Sequence, residues 1–235
     1  NTKFGYLTGI QYLAPYKTSG VNLCPMSEKA GCIDSCLYYS GRGKFQNVQQ
    51  ARLNRTKLYL NNQAEYFNQL IKEIRALEKK AVKKGLKPLI RLNGTSDIRW
   101  ENIGFVFEDT YYRNIFEFFP HIQFMDYTKI PNRYDSKNGL NDFPSNYDLT
   151  FSYSGAPEFQ KYNKRAIDKG LRIAVVFDKV ETMPIKFHDR EVLNGDDNDL
   201  TFIKPKNSIL GLYAKGSKGE IQKGIDTQFI LTKGV

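Results

Sequence analysis

The clearest regularity along the chain is an alternation between amphipathic helical patterns and short apolar runs. Apolar side chains recur at helical spacing from Phe67 to Ala81, and Gly85 provides a typical stop after them. Pro157 and Gly170 bracket a second such pattern. The predicted helices cover residues 44–60, 63–84, 109–119 and 157–169.

The short apolar runs predict β-strands. Leu171 to Asp178 has the nearly continuous apolar sequence of a strand that is buried on both faces. The other predicted strands cover residues 10–14, 88–93, 121–128, 147–154 and 208–214. Strands that alternate with helices predict an α/β fold with a largely parallel sheet. Five or six strands suit a partial or complete TIM-barrel-like sheet as well as an open one.

Glycine and proline punctuate residues 1–43, which predicts an irregular amino-terminal segment. The rest of the chain has no internal repeat, low-complexity tract or linker. We therefore expect a single α/β domain over residues 1–235.

Composition adds limits on location and partners. No stretch approaches the roughly 18–20 consecutive apolar residues of a membrane span, and the start lacks a signal-peptide pattern. We therefore expect a cytoplasmic protein without a membrane partner. The formal net charge of +10 favours a polyanion such as nucleic acid. The densest basic cluster, from Lys79 to Lys84, also suits a helix end, where the dipole favours cations.

The three cysteines predict a metal centre. Cys24, Cys32 and Cys36 fall within 13 positions, and this odd, clustered set argues against a disulfide framework. Three thiolates can hold three irons of a [4Fe–4S] cluster and leave the fourth iron open. Zinc is the alternative and needs a histidine or a carboxylate as a further ligand; the chain has only two histidines, His121 and His188. Buried thiols or a redox pair also remain open.

Polar side chains follow most of the predicted strands. Because the carboxyl ends of parallel strands share one edge of a sheet, these side chains can form one site. The candidate catalytic residues are Asp97, Asp126 and Lys129, with either aspartate as acid or base. The candidate substrate-binding residues are Asn93, Ser96, Ser154 and Lys215; the lysines suit a carboxylate or phosphate. The alternative is that the polar residues cap the helices that follow.

Several motifs together resemble the phage and prophage family known as gene product 88. They are Leu23–Pro25, Gly31–Cys32, Cys36–Leu37, Arg91–Asp97, Phe124–Lys129, Leu149–Ser154, Asn194–Leu200 and Gly211–Gly216. The resemblance implies a viral protein in the cytoplasm of a bacterial host. It also fits a cluster that sits over the binding face of an α/β barrel.

Two functions compete on these observations. The first is an iron–sulfur protein with redox or radical-type activity on a small molecule, served by a redox partner. Position 39 is Tyr, so the cysteine spacing departs from the radical-SAM pattern C-x3-C-x2-C and does not support SAM binding. The second is a basic module, stabilised by a cluster or zinc, that binds nucleic acid. The segment Asn194–Asp199 resembles a Ca²⁺ loop but lacks its final Glu, and a turn is expected there.

Overall fold

The computed structural model describes residues 1–33, 35–36, 43, 45–133 and 143–232. Leu37 of the resemblance and Lys44, the predicted start of a helix, lie outside the described residues.

Six α-helices occur in the described part of the chain. They are α1 (Tyr16–Ser19), α2 (Gln46–Asn61), α3 (Gln63–Lys83), α4 (Ile115–Phe118), α5 (Gln160–Asp168) and α6 (Lys218–Asp226). The Asn62 side chain caps the start of α3 by accepting the N–H of Glu65, and the apolar side packs inward from Tyr66 to Ala81. These bounds confirm the predicted helices at 44–60, 63–84 and 157–169. None of the described helices is long and apolar enough to cross a membrane.

Among the described residues, nine strands form one sheet, and two more form a hairpin. The strands are β1 (Tyr6–Ile10), β2 (Lys87–Arg91), β3 (Phe105–Phe107), β4 (Thr110–Tyr112), β5 (Gln123–Thr128), β6 (Tyr147–Ser152), β7 (Ile173–Phe177), β8 (Lys186–Phe187), β9 (Arg190–Asn194), β10 (Ile209–Tyr213) and β11 (Ile230–Leu231). The sheet order is β1-β2-β5-β6-β7-β10-β9-β8, with β11 added beside β7. The described pairs of neighbouring strands in this sheet are parallel, except β8 with β9. This largely parallel sheet confirms the α/β fold. No ladder among the described residues closes the sheet, so the barrel is not confirmed.

Two predicted elements differ from the structure. The segment 109–119, expected to be a helix, contains β4 and the short α4, and β4 forms a hairpin with the preceding β3. Glu108 and Asp109 both have positive φ, as the two central residues of a tight hairpin turn require. The strand expected over 10–14 lies earlier in the chain: it is β1, which ends at Ile10.

The chain divides into two compact units. Unit 1 comprises Asn1–Leu23, Gln46–Asp126 and Arg133–Asp148, and unit 2 comprises Cys24–Phe45, Tyr127–Asn132 and Leu149–Val235. Two of the boundaries fall inside β5 and β6 rather than in a linker. The expectation of a single folding domain therefore stays a prediction.

Each unit has its own apolar core. In unit 1, Tyr66 stacks on the fully buried Trp100, and Phe67 stacks on Phe105 at 4.3 Å between ring centroids. The core of unit 2 contains Ala30, Phe151, Phe159, Ile173, Val175, Phe177, Ile209 and Leu231. Burial of each large side chain contributes roughly 1.5–3 kcal/mol, so these cores hold the strand ends in place.

Candidate functional site

The cysteine-bearing segment of unit 2 is built from tight turns. Cys24, Cys32 and Cys36 are each partly exposed. The buried Ser27 organises the first turns: its N–H donates to the carbonyl of Cys24 at 3.0 Å, and its carbonyl accepts the N–H of Cys32 at 3.1 Å. The N–H of Ser35 then donates to the carbonyl of Cys32 at 3.3 Å. The backbone between the first two thiols is therefore held by its own hydrogen bonds.

Two hydroxyl groups fasten this segment to the rest of unit 2. Ser154, just after β6, donates from its Oγ to the carbonyl of the fully buried Ala30 at 2.7 Å. Thr227, just after α6, donates from its Oγ1 to the carbonyl of Gly31 at 2.7 Å. Gly31 has a φ of +64°, and a Cβ built there would lie 2.6 Å from the Cβ of Thr227. The close approach at this point therefore requires glycine.

The fastening point lies where two parallel strands separate. β7 pairs with β6 near its start, at Ile173 and Ala174, and with β11 near its end, at Val176 and Phe177. Because β10 pairs with the whole length of β7 on its other edge, β6 and β11 share one edge of β7. β6 therefore diverges from β7 at its carboxyl end, and β11 pairs with β7 there instead. Ligand sites in parallel sheets form where neighbouring strands diverge at their carboxyl ends.

Lys129 directly follows β5, and its side chain reaches the end of β6. Its Nζ donates to the Oγ of Ser152 at 2.9 Å and is 4.5 Å from the ring centroid of Phe229 and 5.5 Å from that of Phe159. The side chain is buried, and the two ring faces stabilise its charge. Within unit 2, Ser154 therefore contacts the cysteine-bearing segment, and Lys129 contacts the last residue of β6.

The thiols match iron or zinc in chemistry but are not gathered into a finished site. Over the described residues, no three or more His, Cys, Asp or Glu side chains lie close enough together to hold a metal ion. Ligand sets on loops are commonly completed by the metal itself, because binding and local folding are coupled. The partial exposure of all three thiols is compatible with that behaviour.

Asp126 is buried in unit 1 and fully hydrogen-bonded. Its Oδ1 accepts the N–H of Asn93 at 2.9 Å, and its Oδ2 accepts the N–H of Leu92 at 3.3 Å and the hydroxyl of Tyr147 at 3.0 Å. Burial raises the pKa of Asp126 to about 6, although Arg91 and these hydrogen bonds oppose the shift. That value suits a general acid or base near neutral pH. The contacts also join β5 to the end of β2, which is a structural role.

Asp97 belongs to a buried ion network centred on Arg133. The guanidinium donates to Oδ1 of Asp97 at 2.9 Å and, through two nitrogens, to both carboxylate oxygens of Glu101 at 2.9 and 2.6 Å. It also donates to the hydroxyl of Tyr147 at 3.1 Å. Burial alone would lower the pKa of Arg133, but Tyr147, Glu101 and Asp97 outweigh it and raise that pKa above its usual range. The carboxylate of Asp97 thus neutralises a buried cation.

Asn93 and Ser96 hold the loop that follows β2. The side-chain oxygen of Asn93 accepts the hydroxyl of Ser96 at 2.9 Å, the N–H of Ile98 at 3.0 Å and the indole N–H of Trp100 at 3.0 Å. Its amide nitrogen donates to the carbonyl of Ile98 at 3.0 Å. Because these bonds engage both the oxygen and the nitrogen of the Asn93 amide, its contacts in the structure are those of a loop anchor.

Lys215, the last predicted binding residue, pairs with the loop after β9. Its Nζ contacts Oδ1 of Asp196 at 2.5 Å, and Oδ2 of Asp196 accepts the N–H of Tyr213 at 2.8 Å. Asn194 accepts the N–H of Asp196 and donates to Asp197. The segment predicted as a turn therefore forms hydrogen bonds within itself and to β10 and Lys215.

The predicted site residues fall into two groups. Asn93, Ser96, Asp97 and Asp126 belong to unit 1, whereas Cys24, Cys32, Cys36, Lys129, Ser154 and Lys215 belong to unit 2. In unit 2, Lys129 follows β5 and contacts the end of β6, Ser154 follows β6, and Lys215 follows β10. Their predicted catalytic and binding roles stay predictions.

Three residues of the unit 1 network were not singled out in the sequence. Arg133 follows a strand end by several residues, Glu101 lies in a short 3₁₀ turn, and Tyr147 begins β6. Arg133 and Asp97 are separated by 36 residues, so no local spacing signals their pairing. Tyr147 is one of 15 tyrosines in the chain, and its sequence position does not distinguish it from the others.

The fold and these contacts define a mixed α/β protein with a cysteine-bearing segment fastened to the carboxyl end of a parallel strand. The chain belongs to the family described as Gene product 88, whose family model matches residues 1–233. The match confirms the resemblance seen in the sequence motifs. Comparisons with curated proteins and with solved structures found no match.

Proposed function

We propose that this protein holds a [4Fe–4S] cluster on Cys24, Cys32 and Cys36 and uses it in redox or radical-type chemistry on a small molecule. The observation that carries the proposal is the fastening of the cysteine-bearing segment, through Ala30 and Gly31, to the carboxyl end of β6 and the end of α6. In this proposal the segment presents its thiols at the edge of the sheet where α/β proteins bind ligands.

Three thiolates fit a cluster with one open iron. Such a cluster supplies one-electron chemistry, and its open iron offers a coordination position. Around it, the turns at Ser27 and Ser35 supply backbone N–H groups, and Gly31 allows the chain to approach Thr227 closely. In this proposal the buried ammonium of Lys129 supplies positive charge for an anionic group of the small molecule.

The other parts of the proposal follow from the sequence. A sheet that curves into a partial TIM barrel would be a usual frame for such a site. Asp126 is the better of the two candidate acid–base residues, because Asp97 is occupied by Arg133. A phage protein at work in the bacterial host cytoplasm would meet a reducing environment, which keeps the thiols available for metal.

The direct test is metal analysis after purification without oxygen. We expect brown protein with about four irons and matching sulfide per chain. Cys→Ser at positions 24, 32 and 36 removes all three cysteines of the chain and should abolish the iron, whereas Ser35→Ala in the same segment should retain it. Colourless protein with bound zinc would show that the cysteines form a structural zinc site instead of holding a cluster. Addition of SAM to the reduced protein tests the radical-SAM variant; an unchanged spectrum counts against it.

A further inference from the structure

Six exposed lysines lie together at the end of unit 1 where β1 and β2 begin. We call this surface the basic face; its residues are Lys3, Lys79, Lys80, Lys83, Lys84 and Lys87. The four lysines of α3 and its cap are spaced i, i+1, i+4 and i+5, which places them on adjoining positions of the helix surface.

Backbone contacts join the other two lysines to the helix end. Lys84 caps α3, the chain turns at Gly85 with a φ of +67°, and Lys87 begins β2. The N–H of Lys87 donates to the carbonyl of Gly5 at 2.8 Å, directly after the short 3₁₀ turn that carries Lys3. The basic face therefore extends from a helix terminus across the first residues of two paired strands.

The charge of the basic face is not compensated within the described residues. None of its six lysines forms an ion pair in the described part of the protein. The carboxylates nearest in α3, Glu73 and Glu78, are engaged by Arg55 and His121. The helix dipole accounts for cations in the last turn of α3, but it does not account for Lys3 and Lys87.

We propose that the basic face binds the phosphate backbone of duplex nucleic acid without regard to sequence. Lysine ammonium groups act as mobile point charges, which suits phosphates better than base edges. Among the described residues, Phe4 is the one large exposed ring beside the face, at 48% exposure, and a single ring gives no platform for stacking several unpaired bases. Val82 is the only other large apolar side chain that the described part of the chain exposes there, so this surface lacks the broad apolar area that inserts into a membrane. This proposal does not depend on the metal centre.

Two charge-matched variants test it. The first replaces Lys79, Lys80, Lys83, Lys84 and Lys87 by Gln. The control replaces five exposed lysines of unit 2, namely Lys161, Lys186, Lys206, Lys218 and Lys223. Each variant lowers the formal net charge from +10 by 5 to +5. Gln retains helix propensity, and thermal unfolding of both variants verifies that they fold.

The probe is a fluorescent duplex DNA of arbitrary sequence, titrated between about 50 and 200 mM salt. We expect salt-dependent binding by the wild type and the control, at least about tenfold weaker binding by the basic-face variant, and a flatter salt slope for that variant. Absence of binding at low salt, or equal weakening of both variants, would overturn the proposal. So would tighter binding to phosphatidylserine vesicles than to DNA, because the face would then be a membrane surface.

Discussion

The hydroxyl of Ser154 donates a 2.7 Å hydrogen bond to the carbonyl of Ala30 and so ties the carboxyl end of β6 to the segment that carries the three cysteines. Both residues are fully buried. The strand end thereby holds the backbone between Cys24 and Cys32 in place. This contact gives the cysteine-bearing segment a fixed position in unit 2, and its removal tests whether that position supports the metal centre.

Replacement of Ser154 by Ala leaves the Ala30 carbonyl without its donor. We expect a loss of about 1–3 kcal/mol in the free energy of unfolding and weaker retention of iron during desalting. Ser208→Ala is the matched control, because that buried hydroxyl donates to the carbonyl of Pro205 at the same 2.7 Å. The control should lose stability but keep its iron. Equal iron content in the two variants would show that the Ser154 contact does not support the metal centre.

Gly31→Ala tests the close approach to Thr227. The substitution combines a strained positive φ with a Cβ contact at 2.6 Å, and we expect at least about 1–2 kcal/mol of destabilisation from the φ alone. Gly170→Ala is the control, because its φ is also +64° but its Cβ would meet only an ordinary contact at 3.7 Å. Urea unfolding should show a larger loss for Gly31→Ala. Equal losses would mean that Thr227 moves aside at little cost.

Arg133→Met tests the buried ion network of unit 1. The change leaves the carboxylates of Asp97 and Glu101 buried without their cation, which costs about 3–5 kcal/mol in comparable networks. Arg113→Met removes an exposed ion pair with Glu117 and should cost less than about 1 kcal/mol. Chemical denaturation measures both losses. A small loss at Arg133 would show that the two carboxylates are not buried in solution.

The raised pKa of Asp126 predicts that the free energy of unfolding depends on pH. Its pKa is raised by burial from 3.8 to about 6, so the folded protein binds this proton more tightly than the unfolded chain does. The contribution of Asp126 to the free energy of unfolding is therefore fully present below about pH 4. It is lost as the pH rises through 6, and the loss amounts to a few kcal/mol. The Asp126→Asn variant should lack this change.

Unfolding of wild type and Asp126→Asn across that pH range measures the effect. The difference in unfolding free energy between wild type and Asp126→Asn should fall with rising pH. A flat difference would show that burial does not raise the pKa of Asp126.

The sequence predicted those parts of the fold that depend on local periodicity. The apolar positions from Phe67 to Ala81 specify α3, and the buried run at Ile173–Phe177 specifies β7, since each pattern spans its whole element. The hairpin of β3 and β4 was missed, because its turn uses Glu108 and Asp109 rather than the usual glycine. The two-residue β11 was missed because a strand that short carries no periodicity.

The candidate site was predictable in its residue types and less so in its contacts. The rule that polar residues gather at strand ends selected Ser154 and Lys129. Ser154 follows β6, and Lys129 follows β5 and contacts Ser152 at the end of β6. The same rule selected Asp97 and Asn93, whose contacts are internal to unit 1. The difference lies in partners distant along the chain, such as Arg133 and Trp100, and sequence spacing does not reveal them.

The iron content per chain of protein purified without oxygen decides whether the three cysteines hold a cluster. We expect about four irons with equivalent sulfide in the wild type, and none after replacement of Cys24, Cys32 and Cys36 by Ser. A folded wild-type protein without iron, or a triple variant that keeps its iron, would contradict the assignment of a cluster to these cysteines.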